Sequence, residues 1–246
     1  MATWVSHLIV ADKVLEKIPH LCPCEFCIGN IAPDCNIENE DFTSFTPSRE
    51  VTHWMSGKYK TLSDAERFLS EYVKTKKSLS LAETSFLLGY YVHLITDAEF
   101  RNLTHNPQRL AKMWHRIKTC DELCEKNVGM FDGWDDVKSL FPKGERMKDI
   151  YSIEKNYLEQ HKECGYLKYI LPVKYGMAYE LPDYIDYLPK GAISRKIKIM
   201  GYIPRAEKSK FPYVVITEEE YNGFLESAAA KAAEGIERYY KSIENG

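Results

Sequence analysis

The chain has 246 residues, of which 44% are hydrophobic and 28% are charged. This is ordinary globular usage, and it excludes a fibrous or disordered protein. The formal net charge of −3, with no basic run, argues against stable nucleic-acid binding. We expect one domain over residues 1–246, because one core can organise a chain of this length.

The sequence predicts neither a membrane span nor a secretion signal. The most apolar stretch, residues 86–95, is far shorter than the roughly 20 residues that a membrane span needs, so we expect no transmembrane segment. The first residues, MATWVSHLIVADKVLEK, lack the basic start and cleavage site typical of a secretory signal. Seven cysteines, an odd number, argue against a disulfide framework. These features predict a cytoplasmic protein.

Helices are predicted along much of the chain. In the first segment, apolar residues from Trp4 to Ile18 recur on one face of a helix. Residues 20–54 are rich in Pro, Asn and Asp, and predict a long irregular loop. A Ser or Thr three residues before a Glu predicts a helix start. This pattern occurs at Ser63 and Glu66, at Ser80 and Glu83, and at Thr217 and Glu220.

Two later features complete the predicted elements. Asn106 and Pro107 resemble a helix cap followed by a first-turn proline. Ile197, Ile199 and the run 213–216 favour a short two-stranded β ribbon near residues 195–216. The predicted fold class is therefore all-α, with one small β ribbon.

Four cysteines lie close together in the predicted loop, at Cys22, Cys24, Cys27 and Cys35. A structural zinc knuckle usually needs two evenly spaced ligand pairs, which this pattern does not provide. We therefore favour buried small residues over a thiolate metal site.

His93 and Asp97 lie four residues apart on a predicted helix, so their side chains project from the same face. A carboxylate on an apolar face is costly unless a metal or cation compensates it. On spacing alone, an ordinary His–Asp pair is the commoner explanation. His7, Asp34 and His53 are further residues of metal-ligand type, and each of them alone also fits a structural role.

Together these segments resemble a known family. SHLIVADKVL with His7, IGNIAPDC with Asp34, THW with His53 and GYYVHLITD with His93 and Asp97 follow the order of motifs in the zinc-dependent phospholipase C family. That family is related to single-strand nucleases of the P1 type. The resemblance extends to Asp97 and fades beyond it.

The resemblance implies an all-α fold in which these five residues bind zinc, with Asp97 bridging two metals. Because the terminal amine ligand and the late His–acid pair of the family are not matched here, we expect one or two ions rather than three. It further implies a zinc-dependent hydrolase of phosphate esters, specifically a phospholipase C-like phosphodiesterase. In such an enzyme a metal-bound hydroxide attacks phosphorus, and Asp34 orients the hydroxide or takes its proton. The expected substrate is a small-molecule phosphate ester or a phospholipid head group, and a soluble substrate has equal weight because no helix has the basic amphipathic pattern of membrane-surface helices.

The chain also departs from the family. Secreted members begin with a Trp whose amine and carbonyl bind metal, whereas Trp4 is internal here. His115 is the candidate for a later ligand, but Thr119 stands where an acidic partner is expected. These gaps leave two alternatives open. One is a catalytically inactive, metal-stabilised binding or interaction protein with the same fold, and the other is a helical scaffold without metal.

Overall fold

In this computed structural model the protein is described over residues 2–41, 43–56, 62–124, 132–176 and 181–244. Helices dominate these residues, which confirms the predicted all-α class. The α-helices of the described residues are α1 Trp4–Lys17, α2 Pro23–Ile31, α3 Arg49–Thr52, α4 Ala65–Phe68, α5 Leu81–His105, α6 Pro107–Lys118, α7 Asp121–Cys124, α8 Trp134–Leu140, α9 Lys143–Gln160, α10 Leu171–Lys174, α11 Ala192–Met200 and α12 Glu218–Glu244. A 3₁₀ turn at Ala32–Asp34 and π-helical turns at Leu69–Val73 and Tyr166–Ile170 join some of them.

Two compact units make up the chain. The first unit comprises Met1–Ala98, His161–Tyr202 and Leu225–Gly246, and the second comprises Glu99–Gln160 and Ile203–Phe224. The single domain over residues 1–246 stays a prediction. Within the part of the chain that the structure describes, no helix combines the length and apolar character needed to cross a membrane.

The predicted helix starts follow from side-chain caps. Ser80 and Glu83 cap each other's backbone N–H groups at the start of α5, and Thr217 and Glu220 do the same for α12. Asn106 accepts a hydrogen bond from the backbone N–H of the third residue of α6. These three starts are confirmed.

The start of α4 differs from the prediction by one residue. Asp64, rather than Ser63, is the cap, and its carboxylate accepts a hydrogen bond from the backbone N–H of Arg67. A carboxylate is as good a cap as a hydroxyl, so the neighbouring residue can take the role.

The long loop predicted over residues 20–54 is wrong in part. It contains α2, the 3₁₀ turn and α3. One of the prolines of this segment, Pro23, stands at the start of α2, where a missing N–H costs nothing. Phe26 and Ile28 are fully buried, so tertiary packing outweighs the polar composition of the segment.

The β ribbon predicted near residues 195–216 is also wrong. Residues 192–200 form α11, and the structure assigns no strand to residues 201–216. Ile193 and Ile197 are both buried and lie four residues apart, which is helical spacing. The alternation of Ile197 and Ile199 suggested a strand, but Ile199 is exposed and does not share the buried face.

The strands that the structure does contain are short and lie elsewhere. β1 Ile37–Glu38 pairs antiparallel with β2 Phe45–Thr46, and β3 Met55–Ser56 pairs with β4 Leu62–Ser63. The first ribbon is tied to α11 by Glu38, which accepts hydrogen bonds from Lys196 and, at 2.8 Å, from Arg195. The hydrogen bond from Lys196 is the main cause that lowers the pKa of Glu38 to about 2. These contacts anchor the segment that follows Asp34 to α11.

The second unit has polar contacts of its own. Arg109 and Arg116 of α6 both pair with Glu220, at 3.3 Å and 3.0 Å. The Tyr221 hydroxyl donates a hydrogen bond of 2.8 Å to the carboxylate of Glu154, which is fully buried on α9. These contacts hold the start of α12 against α6 and α9 within this unit.

In the first unit, α2 and α5 meet at two glycines with their backbones in contact. A Cβ atom on Gly29 would lie 2.0 Å from the carbonyl oxygen of Phe86, and one on Gly89 would lie 2.1 Å from the carbonyl oxygen of Phe26. Neither neighbour is a side chain that could turn away. The Asn30 side-chain amide then donates to the carbonyl of Gly89 at 3.2 Å. Both helices must lack a Cβ at the crossing.

This crossing generates a prediction for Gly89→Ala. The added methyl group must push α2 away from α5, and overpacking of a rigid backbone contact costs on the order of 3 kcal/mol or more. We expect a loss of that size in the free energy of unfolding, measured by chemical denaturation.

The matched control is Gly223→Ala in α12, where a Cβ would meet nothing within 4 Å. This variant should gain up to about 1 kcal/mol, because Ala loses less conformational entropy than Gly in a helix. Equal stability of the two variants would contradict the assignment of a tight crossing at Gly89.

Candidate metal centre

The five residues of the resemblance come together in the first unit. His7, His93 and Asp97 form one group of possible ligands, and Asp34, His53 and His93 form another. Within each group the donor atoms all lie within 4.8 Å of one another. Such a set of imidazole nitrogens and carboxylate oxygens is suited to zinc.

Several elements supply these side chains. α1 carries His7, and α5 carries His93 and Asp97 on one face. The 3₁₀ turn that follows α2 ends at Asp34, and His53 directly follows α3. The three imidazoles are fully or almost fully buried. Local sequence therefore fixes only the pair on α5, and packing brings the others to it.

His93 is held in one tautomer. Its Nδ1 lies 2.7 Å from the carbonyl oxygen of Asn30, and because a carbonyl only accepts, Nδ1–H is the donor. Nε2 then keeps a lone pair and lies 3.3 Å from Nε2 of His53. Burial, and secondly the neighbouring His7, hold the pKa of His93 well below its ordinary value. The imidazole is neutral and oriented, as a metal ligand must be.

His7 lies flat against His93, with ring centroids 3.8 Å apart and an angle of 1° between the planes. Within the described residues, neither ring nitrogen of His7 has a hydrogen-bond partner, although the side chain is completely buried. Nε2 of His7 lies 3.5 Å from Oδ1 of Asp97. An unsatisfied buried polar group costs about 1–3 kcal/mol, and a metal ion is a partner that would remove this cost. The residues present therefore fit a metal.

Asp97 is almost buried, and both of its carboxylate oxygens have polar contacts. Oδ1 accepts a hydrogen bond from the backbone N–H of Ala2 at 3.2 Å. Oδ2 accepts one from Nη2 of Arg49 at 2.8 Å and lies 3.6 Å from Nε2 of His53. Burial alone would raise the pKa of Asp97, but the interactions with His7 and His93 outweigh it and hold the pKa well below the ordinary value. Asp97 is thus an ionised carboxylate.

Asp34 is the second carboxylate of the centre. Oδ1 lies 3.3 Å from Nε2 of His53, and Oδ2 accepts a hydrogen bond of 3.0 Å from the indole N–H of Trp4. Burial would raise the pKa of Asp34, but the hydrogen bond with His53 is the main interaction that outweighs burial and holds the pKa below the ordinary range. Trp4 is therefore an orienting residue of this site.

His53 is positioned by a chain of hydrogen bonds. Its Nδ1 lies 2.9 Å from the hydroxyl of Thr52, whose backbone carbonyl accepts a hydrogen bond from the hydroxyl of Tyr90. Tyr90 in turn accepts from Tyr187 at 2.9 Å, and Tyr187 accepts from the indole of Trp54 at 3.1 Å. Burial raises the pKa of Tyr90 well above the ordinary value. The hydroxyls thus stay protonated and keep the backbone beside His53 in place.

His115 and the cysteines lie outside these groups. His115 is exposed on α6, in the second unit, and its role as a ligand stays a prediction. Cys27 and Cys35 are buried, and burial is the main cause that raises the pKa of each thiol well above the ordinary value. Among the described residues, neither candidate group contains a cysteine. The burial of Cys27 and Cys35 agrees with the expectation for these two thiols, whereas Cys22 and Cys24 are only half-buried.

Sequence reasoning missed Arg49, the orienting role of Trp4, and the carbonyl of Asn30. For Arg49 there was a local signal, because it stands one helical turn before His53. The hydrogen bond from Trp4 to Asp34 had no such signal, since it joins residues 30 positions apart.

The hydrogen-bond chain beside His53 generates a prediction for Tyr90→Phe. The buried carbonyl of Thr52 loses its donor and the hydroxyl of Tyr187 loses its acceptor, which costs about 1–2 kcal/mol. We expect that loss in the free energy of unfolding, measured with a chelator present so that metal does not contribute. The control is Tyr175→Phe, because Tyr175 is 76% exposed and should lose almost nothing. An equal loss of stability in the two variants would argue against this series of hydrogen bonds.

Comparison with known proteins gives one match. The family model described as zinc dependent phospholipase C matches residues 6–163, well over half of the chain. No curated protein and no solved structure gave a significant match. The matched range includes all five residues of the two donor groups. The chain belongs to the zinc-dependent phospholipase C family.

Proposed function

We propose that this protein is a zinc-dependent hydrolase of phosphate esters, and specifically a phosphodiesterase of the phospholipase C type. The observation that carries the proposal is His7, a completely buried imidazole without a hydrogen-bond partner among the described residues, 3.5 Å from the ionised carboxylate of Asp97. Family membership supports zinc as the metal and hydrolysis as the activity.

The proposed centre holds one or two zinc ions. His93 would hold zinc through Nε2, because its Nδ1 donates to the carbonyl of Asn30. Asp97 would be a further zinc ligand, since Oδ1 lies 3.5 Å from Nε2 of His7 and Oδ2 lies 3.6 Å from Nε2 of His53. Asp34 and His53 would complete the donor set, in the group that they form with His93.

In the proposed mechanism, zinc supplies Lewis acidity and stabilises negative charge that develops on the phosphate. Asp34 accepts a hydrogen bond from the attacking water and orients it towards phosphorus. Its pKa lies below the ordinary range, so it is a weak base, and orientation is the greater part of its catalytic role. Trp4 holds the second oxygen of Asp34 and prevents the carboxylate from turning away.

The substrate we propose is a small-molecule phosphate ester or a phospholipid head group, and a cytoplasmic location is part of the same proposal. Six cysteines of the described residues are free thiols, which is the state that a reducing compartment maintains: Cys22, Cys24, Cys27, Cys35, Cys120 and Cys164. His115 remains a proposed additional ligand, and if it binds zinc, His115→Ala should lower the zinc content.

A second candidate is an inactive, metal-stabilised binding protein with the same fold. The observation that favours it is the exposed position of His115 on α6, together with Thr119 where the resemblance expects an acidic ligand. Zinc-loaded protein without turnover on a broad panel of phosphate esters would support this candidate over the enzyme.

The experiment that tests the proposed function is Asp97→Asn. This change removes the charge that faces both His7 and His53, while side-chain volume stays nearly the same. Wild-type protein should contain one or two zinc ions by elemental analysis, and the variant should contain less. Zinc at 100–1,000 times its Kd adds about 3–4 kcal/mol to the free energy of unfolding, and the variant should lose that increment. It should also lose hydrolysis of a chromogenic phosphodiester.

The control is Asp135→Asn, the same substitution at a side chain that is 91% exposed on α8. Its zinc content, zinc-dependent stability and turnover should equal those of the wild type. Full zinc content and full stability in Asp97→Asn would show that the proposed site is wrong, and three tightly bound ions in the wild type would overturn the proposed number.

A further inference from the structure

Arg49 is a cationic side chain in direct contact with the candidate metal centre. Its Nη2 donates a hydrogen bond of 2.8 Å to Oδ2 of Asp97, the oxygen that also faces His53. The side chain of Arg49 is 31% exposed, whereas those of Asp97 and His53 are 6% and 1% exposed. Arg49 therefore lies at the solvent side of the centre, where a substrate must enter.

The backbone of Arg49 is fixed relative to the proposed ligands. The carbonyl oxygen of Arg49 accepts a hydrogen bond of 2.9 Å from the backbone N–H of His53. The hydroxyl of Thr52, which contacts the ring of His53, lies 3.5 Å from the same carbonyl oxygen. The backbone of Arg49 is thus fixed beside His53, and the hydrogen bond to Asp97 holds its guanidinium at the centre.

A guanidinium has no lone pair for a metal, so Arg49 needs another role once zinc is bound. Within the described residues its side chain donates through Nη2 to Asp97, and a guanidinium carries five N–H donors in all. Two other cations of the first unit, Arg195 and Lys196, are paired with Glu38. Planar N–H donors of this kind match the oxygens of a phosphate group.

We propose that Arg49 is an anion-binding residue that donates hydrogen bonds to a nonbridging oxygen of the substrate phosphate at the zinc centre. This proposal rests on the proposed function. Zinc, when bound, would compensate the charge of Asp97, and the other N–H groups of Arg49 would be left to donate to the phosphate. The ligand class is an oxyanion of phosphorus, and Arg49 contributes to selecting it over neutral esters.

The test uses inorganic phosphate as the probe and calorimetric titration of the zinc-loaded full chain. Arg49→Gln keeps a hydrogen-bond donor for Asp97 and removes the charge. It should weaken phosphate binding by about tenfold or more, the range for a hydrogen bond to a charged group. Arg49→Lys keeps the charge and loses the planar geometry, so its affinity for phosphate should fall between those of the wild type and Arg49→Gln.

Zinc content is measured first in every protein and should be equal in all of them. Arg238→Gln is the matched control, because Arg238 is 55% exposed on α12 and pairs with Glu66 and Glu234. Its phosphate affinity should equal that of the wild type.

Three results would overturn the proposal. One is zinc-loaded Arg49→Gln that binds phosphate as tightly as the wild type. Another is loss of zinc in Arg49→Gln, which would make Arg49 a residue for metal retention. A wild type without zinc would overturn the proposed function as well, and elemental analysis identifies that case before phosphate is added. If Arg49→Gln does not fold, Arg49→Lys must show the weakened binding for the proposal to stand.

Discussion

The close crossing of α2 and α5 at Gly29 and Gly89 is the contact on which the candidate centre depends. With no Cβ at either position, the backbones touch, and the carbonyl of Asn30 reaches Nδ1 of His93. That single hydrogen bond sets the tautomer of the central imidazole. The same crossing brings the end of α2, and hence Asp34 in the following turn, to the helix that carries Asp97. A wider separation of these two helices would remove the geometry of the whole donor set.

Charge compensation is the second constraint on this centre. Two carboxylates that burial would protonate stay ionised because imidazoles lie 3.3–3.6 Å from their oxygens, and Trp4 and Arg49 donate hydrogen bonds to them. His7 meanwhile is completely buried and has no hydrogen bond among the described residues. A fold that only needed a stable core would be better served there by an apolar side chain. The arrangement is consistent with a centre completed by a bound cation.

Local signals in the sequence predicted the features that depend on neighbouring residues. The cap pairs at Ser80 and Thr217, and the spacing of His93 and Asp97, are of this kind. Contacts between distant segments were not predictable in the same way: Ala2 and Asp97 are 95 positions apart, and Arg49 and Asp97 are 48 apart. α2 was missed because its composition resembles a loop and its stability comes from burial against other helices. The donor set itself was predictable only through the order of motifs, since no single His or Asp was decisive.

The central claim is that zinc is bound by imidazole and carboxylate groups in the first unit, and not by the nearby thiols. X-ray absorption at the zinc edge of the purified, zinc-loaded protein tests this claim most directly. The account predicts a first coordination shell of nitrogen and oxygen at about 2.0–2.2 Å. A shell containing sulfur at about 2.3 Å would place the metal on the cysteines and contradict it.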